Sequence, residues 1–319
     1  MKKIKISSLW CGWILTSLIV NLIKDITKRE IELVHPSDSD ILFFGPYDLL
    51  SIKRRVLKLA RENFTTINKL FPNIDFYLLK RKIKPIRVFL SYENTIFPDF
   101  DYDFSITSLL NISDDRHLRL PIWKEMIDWS HLGITRKTNN FIKRFDNFYN
   151  IKELIKEQGN DFLKKKNICI FTSHMKEPRK SMINFFSENF LVDVHGGSTD
   201  KKIIGHNQSS FSKKKILMNY SFNLCPENSL YPGYYTEKVP EAFLSKTLPL
   251  AWADDNIKVD FNEKAFVNLL NYSKNNYFEI MHLLKDENFL KQFTSEPLLL
   301  REPDLNKEYA FAKKIVDTL

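Results

Sequence analysis

The stretch YYTEKVPEAF sets a glutamate beside a lysine, Glu237 and Lys238, where an apolar strand-like run has ended and a helix is about to begin. Thr236 is a residue of the helix-capping kind, so Glu237 and Lys238 would fill the first two helical positions. Pro240 falls in the first turn, where its missing N–H forfeits at most one hydrogen bond. Backbone N–H groups left free at a helix start attract phosphate, and a lysine adds charge. A capped helix carrying an ordinary ion pair would have the same sequence. A second such place follows the run NICIFT: SHMKEPRK puts Pro178 at a first helical turn with Arg179 beside it. A guanidinium's planar fork suits the oxygens of a diphosphate better than an ammonium does. An exposed arginine on a first turn would read alike. In the first half of the chain, Glu93 stands in SYENT, just after another short strand. A carboxylate so placed could take a proton from a hydroxyl, and it could equally be a solvated loop residue.

The elements that must carry these residues alternate in type. Strands are expected at Lys3–Ser8, Asp40–Phe44, Arg87–Ser91, Asn167–Thr172, Leu191–Val194, Tyr220–Cys225 and Leu248–Trp252. Helices are expected at Leu15–Arg29, Tyr47–Ile67, Pro178–Phe190, Lys213–Met218 and Thr236–Ser245, and the tail from Asn276 is helical with breaks at Pro297 and Pro303. Strands alternating with helices give βαβ units and parallel sheets. Two such sets, joined by the polar stretch Thr138–Lys166, predict an α/β chain of two Rossmann-like domains facing a cleft. The division falls at residues 1–150, with the linker helix, and 151–319, with the C-terminal helices. Ligands of such sheets bind outside the carboxyl ends of the strands.

The formal net charge is +9, which admits nucleic acid, an anionic membrane face or a phosphorylated small molecule as partner. The basic residues lie in small groups such as 164–166 and 213–215, and no nucleic-acid-binding motif accompanies them, so no nucleic-acid partner is expected. Neither a G-x-G-x-x-G nor a P-loop motif is present. The three cysteines, Cys11, Cys169 and Cys225, lack the C-x-x-C spacing of a zinc site, and an odd number in apolar stretches fits a reducing compartment. The N-terminal MKKIKISSLWCGWILTSLIVNLI is read as a strand and a helix, because Thr16, Ser17 and Asn21 interrupt its apolar run. Acidic triplets at Asp38–Asp40 and within Asp99–Asp103 could ligate a divalent ion, but short acidic groups are common in turns, and no metal site is expected. His174 lies near Arg179 in sequence and could touch phosphate, whereas His117, His195 and His206 read as structural.

The stretch FNLCPENSLYPGYYTEKVPEAFLSKTLPLAWADDN, Phe222–Asn256, resembles the donor-site signature of the α1,3/α1,4-fucosyltransferases: F-x-L-x-F-E-N, then Tyr-x-Thr-Glu-Lys, an Ala-rich helix and a proline-containing strand. FLSYENTIFPDFDYDFSI, HLRLPIW and PRKSMINFFSENFLVDVHGGS resemble three further blocks of that family, in the same order and spacing. The resemblance implies a GT-B architecture and transfer of L-fucose from GDP-fucose to a glycan with inversion. It places the base on Glu93, the diphosphate arginine on Arg179, the Thr-Glu-Lys on Thr236, Glu237 and Lys238, and two donor-binding residues on Asn228 and Tyr234. On that reading Glu237 stabilises the cationic character that grows on the sugar. It also implies that no cofactor is required, a divalent metal being at most stimulatory. The partners are a GDP-sugar and a glycan acceptor of a surface polysaccharide or lipopolysaccharide, and the location is cytoplasmic, with peripheral contact to an anionic membrane. A different GDP-deoxysugar as donor, or a non-catalytic glycan-binding relative, are the alternatives. Three positions depart from the pattern: Pro226 replaces an aromatic residue, Ala253 a glycine after the Trp, and Tyr92 the glycine before the glutamate.

Overall fold

Short runs of consecutive apolar residues become the strands of two parallel sheets. In the computed structural model of the chain, residues 2–9, 12–46, 85–94, 102–165, 167–196, 212–275 and 277–319 are described. Among them, the first sheet comprises β1 (Ile4–Ser8), β2 (Ile31–Leu33), β3 (Ile41–Phe44), β4 (Ile86–Ser91), β5 (Phe104–Thr107) and β6 (His117–Arg119). Their order is β2-β1-β3-β4-β5-β6, and every pairing is parallel. The second comprises β7 (Ile168–Phe171), β8 (Val192–His195), β9 (Phe222–Pro226), β10 (Leu248–Trp252) and β11 (Val267–Asn268), again all parallel, in the order β11-β10-β9-β7-β8. Parallel sheets are covered on both faces, so their strands read as unbroken apolar stretches. All four residues of β3 and all five of β9 are buried. The α/β expectation holds, and the fold is of the GT-B type, with two doubly wound units.

The helix expected at Leu15–Arg29 divides into a single turn at Ile14–Thr16 and a helix at Leu18–Thr27. Ser17 makes the break: its Oγ accepts from the Val20 N–H at 3.4 Å and caps the new helix. The helix expected at Tyr47–Ile67 lies outside the described residues.

The chain separates into one unit of residues 1–120, 129–137 and 304–319, and another of 121–128 and 138–303. This differs from a division at residue 150 in two ways. The stretch Thr138–Lys166 belongs with the second unit rather than lying between the two. The final helix, Asn306–Asp317, belongs with the first unit, not with the one that precedes it in sequence. It packs on the Leu18–Thr27 helix, buries Phe311, Ala312 and Ile315 along one face, and sets Phe311 edge-on to Phe104 of β5 at 5.6 Å. The Tyr309 hydroxyl donates to Asp25 at 2.9 Å. An amphipathic helix goes to whichever sheet leaves an apolar face open, and sequence position does not decide that.

In the second unit, Met182, Ile183 and Phe186 of the helix Arg179–Ser187 join Ile168, Ile170, Phe222, Leu224, Leu248 and Leu250 in one core. Arg179 is the first residue of that helix, so the core fixes where its side chain starts. The chain runs from β7 outward to β8, then crosses to the far side of β7 to lay down β9, β10 and β11 in turn. The reversal falls between β7 and β9. The loops leaving these two strands diverge there and open the crevice in which such sheets bind ligands.

Candidate functional site

The two loops at this reversal carry Arg179 and Asn228. After β7, the Thr172 hydroxyl donates to the His174 carbonyl at 2.7 Å and shapes a tight turn. The end of β8 presses against it: Gly196 has φ of 129°, and a Cβ there would lie 2.0 Å from the Thr172 carbonyl oxygen. Glycine is required at this position for both reasons. The turn brings the His174 ring under Arg179, whose Nη1 donates to His174 Nδ1 at 3.0 Å. A ring nitrogen that accepts from a guanidinium must be unprotonated. Burial, Arg179, Lys176 and Lys238 together hold the His174 pKa below its ordinary value. The Arg179 Nη2 donates to Asn228 Oδ1, and the Asn228 amide donates to the Tyr234 hydroxyl at 2.9 Å. Three residues spread over 179–234 thus form one hydrogen-bonded chain.

Arg179 is 4% exposed and has no carboxylate within ion-pair distance among the described residues. Burial lowers its pKa from the ordinary value, partly offset by Glu227 and Tyr234. A guanidinium placed among neutral partners keeps most of its desolvation cost uncompensated until an anion arrives.

Lys238 is treated differently. Its ammonium is ion-paired with Glu227 and donates to Thr236 Oγ1 at 3.1 Å. Burial would lower its pKa, but Glu227 and Glu237 outweigh it and hold it above the ordinary value. Glu227 is 3% exposed and also accepts from the Thr236 N–H at 2.8 Å and the Thr236 hydroxyl at 3.0 Å. Thr236 is therefore not the helix cap expected from its type. The helix runs Lys238–Leu244, Glu237 stands at its cap position without a side-chain bond, and the Thr236 hydroxyl serves Glu227 instead. The ammonium has three donors, and these two contacts leave one for a ligand.

Glu237 faces a second arginine, Arg144, whose Nη2 lies 3.8 Å from its Oε1. Burial pushes the Glu237 carboxyl up, but Lys238, Arg144 and Lys213 outweigh that and hold it below the ordinary value. Glu93 belongs to the other unit, two residues beyond the end of β4. Its N–H donates to the Ser91 hydroxyl at 3.3 Å, and the same hydroxyl donates to its carbonyl at 3.2 Å. Tyr92, the departure from glycine, is buried and stacks on Trp13 with ring centroids 5.7 Å apart.

Arg179, Asn228, Tyr234, Thr236, Glu237 and Lys238 all gather in the second unit, and Glu93 stands in the first. Sequence reasoning missed Glu227 as the hub of the Thr236 and Lys238 contacts; its place immediately before Asn228 at a strand's end was the available signal. It also missed Arg144, which nothing local marks. Of the acidic triplets, Asp40 accepts from the Lys5 N–H at 2.8 Å and Asp103 from the Arg87 N–H at 2.7 Å. Both oxygens serve the backbone. Asp99 and Asp101 lie outside the described residues.

Residues 162–294, which hold the second unit's part of this arrangement except Arg144, match the model of glycosyltransferase family 10 (fucosyltransferase) C-term. The chain resembles the α1,3-fucosyltransferases. It is 27% identical over 261 residues to an alpha-(1,3)-fucosyltransferase of Helicobacter pylori, covering 72% of this chain and 53% of that one. It is 21% identical over 282 residues to a putative fucosyltransferase of Acanthamoeba polyphaga mimivirus, covering 78% and 46%. The chain thus spans about half the length of these fucosyltransferase relatives. A crystal structure of an alpha1,3-fucosyltransferase with GDP-fucose shares the fold, with a TM-score of 0.65 and 20% identity over 99% of this chain and 90% of that one. The same enzyme fold with GDP gives a TM-score of 0.65 at 20% identity.

Proposed function

We propose that the chain is an inverting glycosyltransferase that moves L-fucose from GDP-fucose to a hydroxyl of a glycan acceptor. The observation that carries this reading is Arg179: a buried cation, held by a neutral ring and an amide, at the reversal of a parallel sheet. Such a group calls for an anionic ligand, and a nucleoside diphosphate supplies one of fitting shape and charge. Arg179 and the remaining donor of Lys238 would hold the diphosphate and stabilise it as it leaves with added negative charge. Asn228, bonded to both Arg179 and Tyr234, would orient the guanidinium. Glu237, held ionised by its neighbours, would stabilise positive charge growing on the sugar ring. Glu93 would take the proton of the attacking hydroxyl in a single displacement, which inverts the sugar carbon without a covalent intermediate.

The relatives' names favour α1,3 linkage, and an N-acetylglucosamine-type sugar of a surface polysaccharide is the acceptor class proposed. The charge on the diphosphate is met by side chains, so a divalent ion is proposed to be at most stimulatory. The net charge of +9 suits work at the cytoplasmic side of an anionic membrane.

Calorimetric titration with GDP-fucose, GDP-mannose, UDP-galactose and GDP, with and without chelator, tests the donor. GDP-fucose should bind most tightly of the sugars, survive chelation and fail on Arg179→Ala. Preference for another GDP-sugar would rename the reaction, and no nucleotide-sugar binding at all would favour a non-catalytic glycan-binding protein. Glu93→Gln should abolish transfer while leaving GDP binding unchanged; a fully active Glu93→Gln protein would remove Glu93 as the base.

A further inference from the structure

The charges around Glu237 close into a ring. The Arg144 guanidinium faces the Glu237 carboxylate at 3.8 Å. The Glu237 carbonyl accepts from the Glu241 N–H at 2.9 Å, one helical turn on. The Glu241 carboxylate is ion-paired with Lys213, and these side chains are 1% and 13% exposed. The Lys213 N–H returns to the Arg144 carbonyl at 2.9 Å. Side-chain contact, backbone bond, side-chain contact and backbone bond alternate around the circuit, so three separate segments are locked at residues 144, 213 and 237–241. Two aromatic faces hold the cations from outside: the Phe141 ring lies 4.3 Å from the Arg144 guanidinium carbon, and the Phe171 ring 5.0 Å from the Lys213 ammonium.

We propose that Arg144 is a positioning residue for Glu237, aiming its carboxylate toward the donor sugar, and that the buried Lys213–Glu241 pair holds Arg144 in place. This rests on the role of Glu237 in the proposed transfer. The groups that face Glu237 are Lys238 from its own helix, Arg144 from the end of the Asn140–Lys143 helix, and Lys213 from the Lys213–Leu217 helix. Glu241 and the wholly buried Tyr149 phenol stand behind them. A ring that merely tied segments together would not need its open arginine to face the one carboxylate at the site's edge. The ion pair also opposes what burial would do to that carboxylate.

The test compares wild type, Arg144→Met and Arg144→Lys by two readouts. The first is the titration of the Glu237 carboxyl carbon by NMR on protein labelled at glutamate, assigned with Glu237→Gln. Its midpoint should rise by roughly one pH unit in Arg144→Met and return in Arg144→Lys. The second is fucosyl transfer from GDP-fucose. Arg144→Met should lose about tenfold in kcat with donor KM unchanged, and Arg144→Lys, which keeps charge but lacks the planar fork, should recover part of that loss. An unmoved midpoint, or a raised donor KM with kcat intact, would overturn the proposal. Should Arg144→Met fail to fold, Arg144→Lys decides: a wild-type kcat there would count against positioning. A wild-type protein that binds no GDP-fucose would sink the transferase reading, while the NMR midpoints would still decide whether Arg144 governs Glu237.

Discussion

Arg179 and Lys238 stand at the carboxyl ends of neighbouring strands in one sheet, and both are largely buried, but the fold answers their charges in opposite ways. Arg179 meets a neutral histidine ring and an amide. Lys238 meets a carboxylate that is itself 3% exposed and also held by two donors of Thr236, its N–H and its hydroxyl. Lys238 is an ion-paired cation with a spare donor, and Arg179 is a buried cation among neutral hydrogen-bond partners. The difference separates two duties that a sequence motif runs together: Lys238 keeps the loop between β9 and its helix in shape, and under the proposed function Arg179 is kept at a cost to stability for the ligand's sake.

This contrast can be broken most directly at Lys238. Lys238→Met leaves Glu227 buried without its cation and should destabilise the protein by roughly 3–5 kcal/mol in urea unfolding. Adding Glu227→Gln to that variant should restore most of the loss, because the stranded charge goes too. A Lys238→Met protein of wild-type stability would mean that the ion pair contributes nothing to the fold.

The next largest effect is expected at Arg179, with the stability effect reversed. Arg179→Ala should weaken GDP binding by roughly 3 kcal/mol, about a hundredfold in Kd, while the melting temperature stays level or rises. A large fall in melting temperature would show that Arg179, like Lys238, is there for the fold.

The smallest effect sharpens the same point through His174. Its pKa is depressed by burial first and by Arg179 next, so the ring is neutral in the folded protein where an unfolded chain would begin to protonate. Stability is therefore complete above the unfolded value of about 6.5 and declines as pH falls below it. An NMR titration should find the His174 midpoint below that value, and Arg179→Ala should bring it part of the way back. A midpoint unaffected by Arg179→Ala would place the ring and the guanidinium further apart than their hydrogen bond requires.

Much of the scaffold was legible because parallel strands leave a local mark. DILFF, RVFLS and NICIFT are apolar without alternation, and each forms a strand within a residue or two of the expected limits. The helix Arg179–Ser187 was legible from the spacing of Met182, Ile183 and Phe186. Thr236 misled because capping propensity is a local rule, and a buried carboxylate nine residues earlier competed for the same hydroxyl. Ser17 misled in the other direction, capping a new helix inside a stretch expected to be one helix, Leu15–Arg29.

The sequence by itself determined the α/β class, seven of the eleven described strands, with β2, β5, β6 and β11 unforeseen, and the residue types at the strand ends that could hold a diphosphate. Periodicity and motif order express these, and both are properties of neighbouring residues. Tertiary structure alone decided that Arg179 is buried among neutral partners, that Glu227 takes the charge of Lys238, that Arg144 reaches Glu237, and that the last helix belongs with the first sheet. Their partners lie from 5 residues apart in the chain, for His174 and Arg179, to 284 apart, for Asp25 and Tyr309. The cost of a buried charge is set by what lies within a few ångströms in space, and only the folded chain brings those groups together.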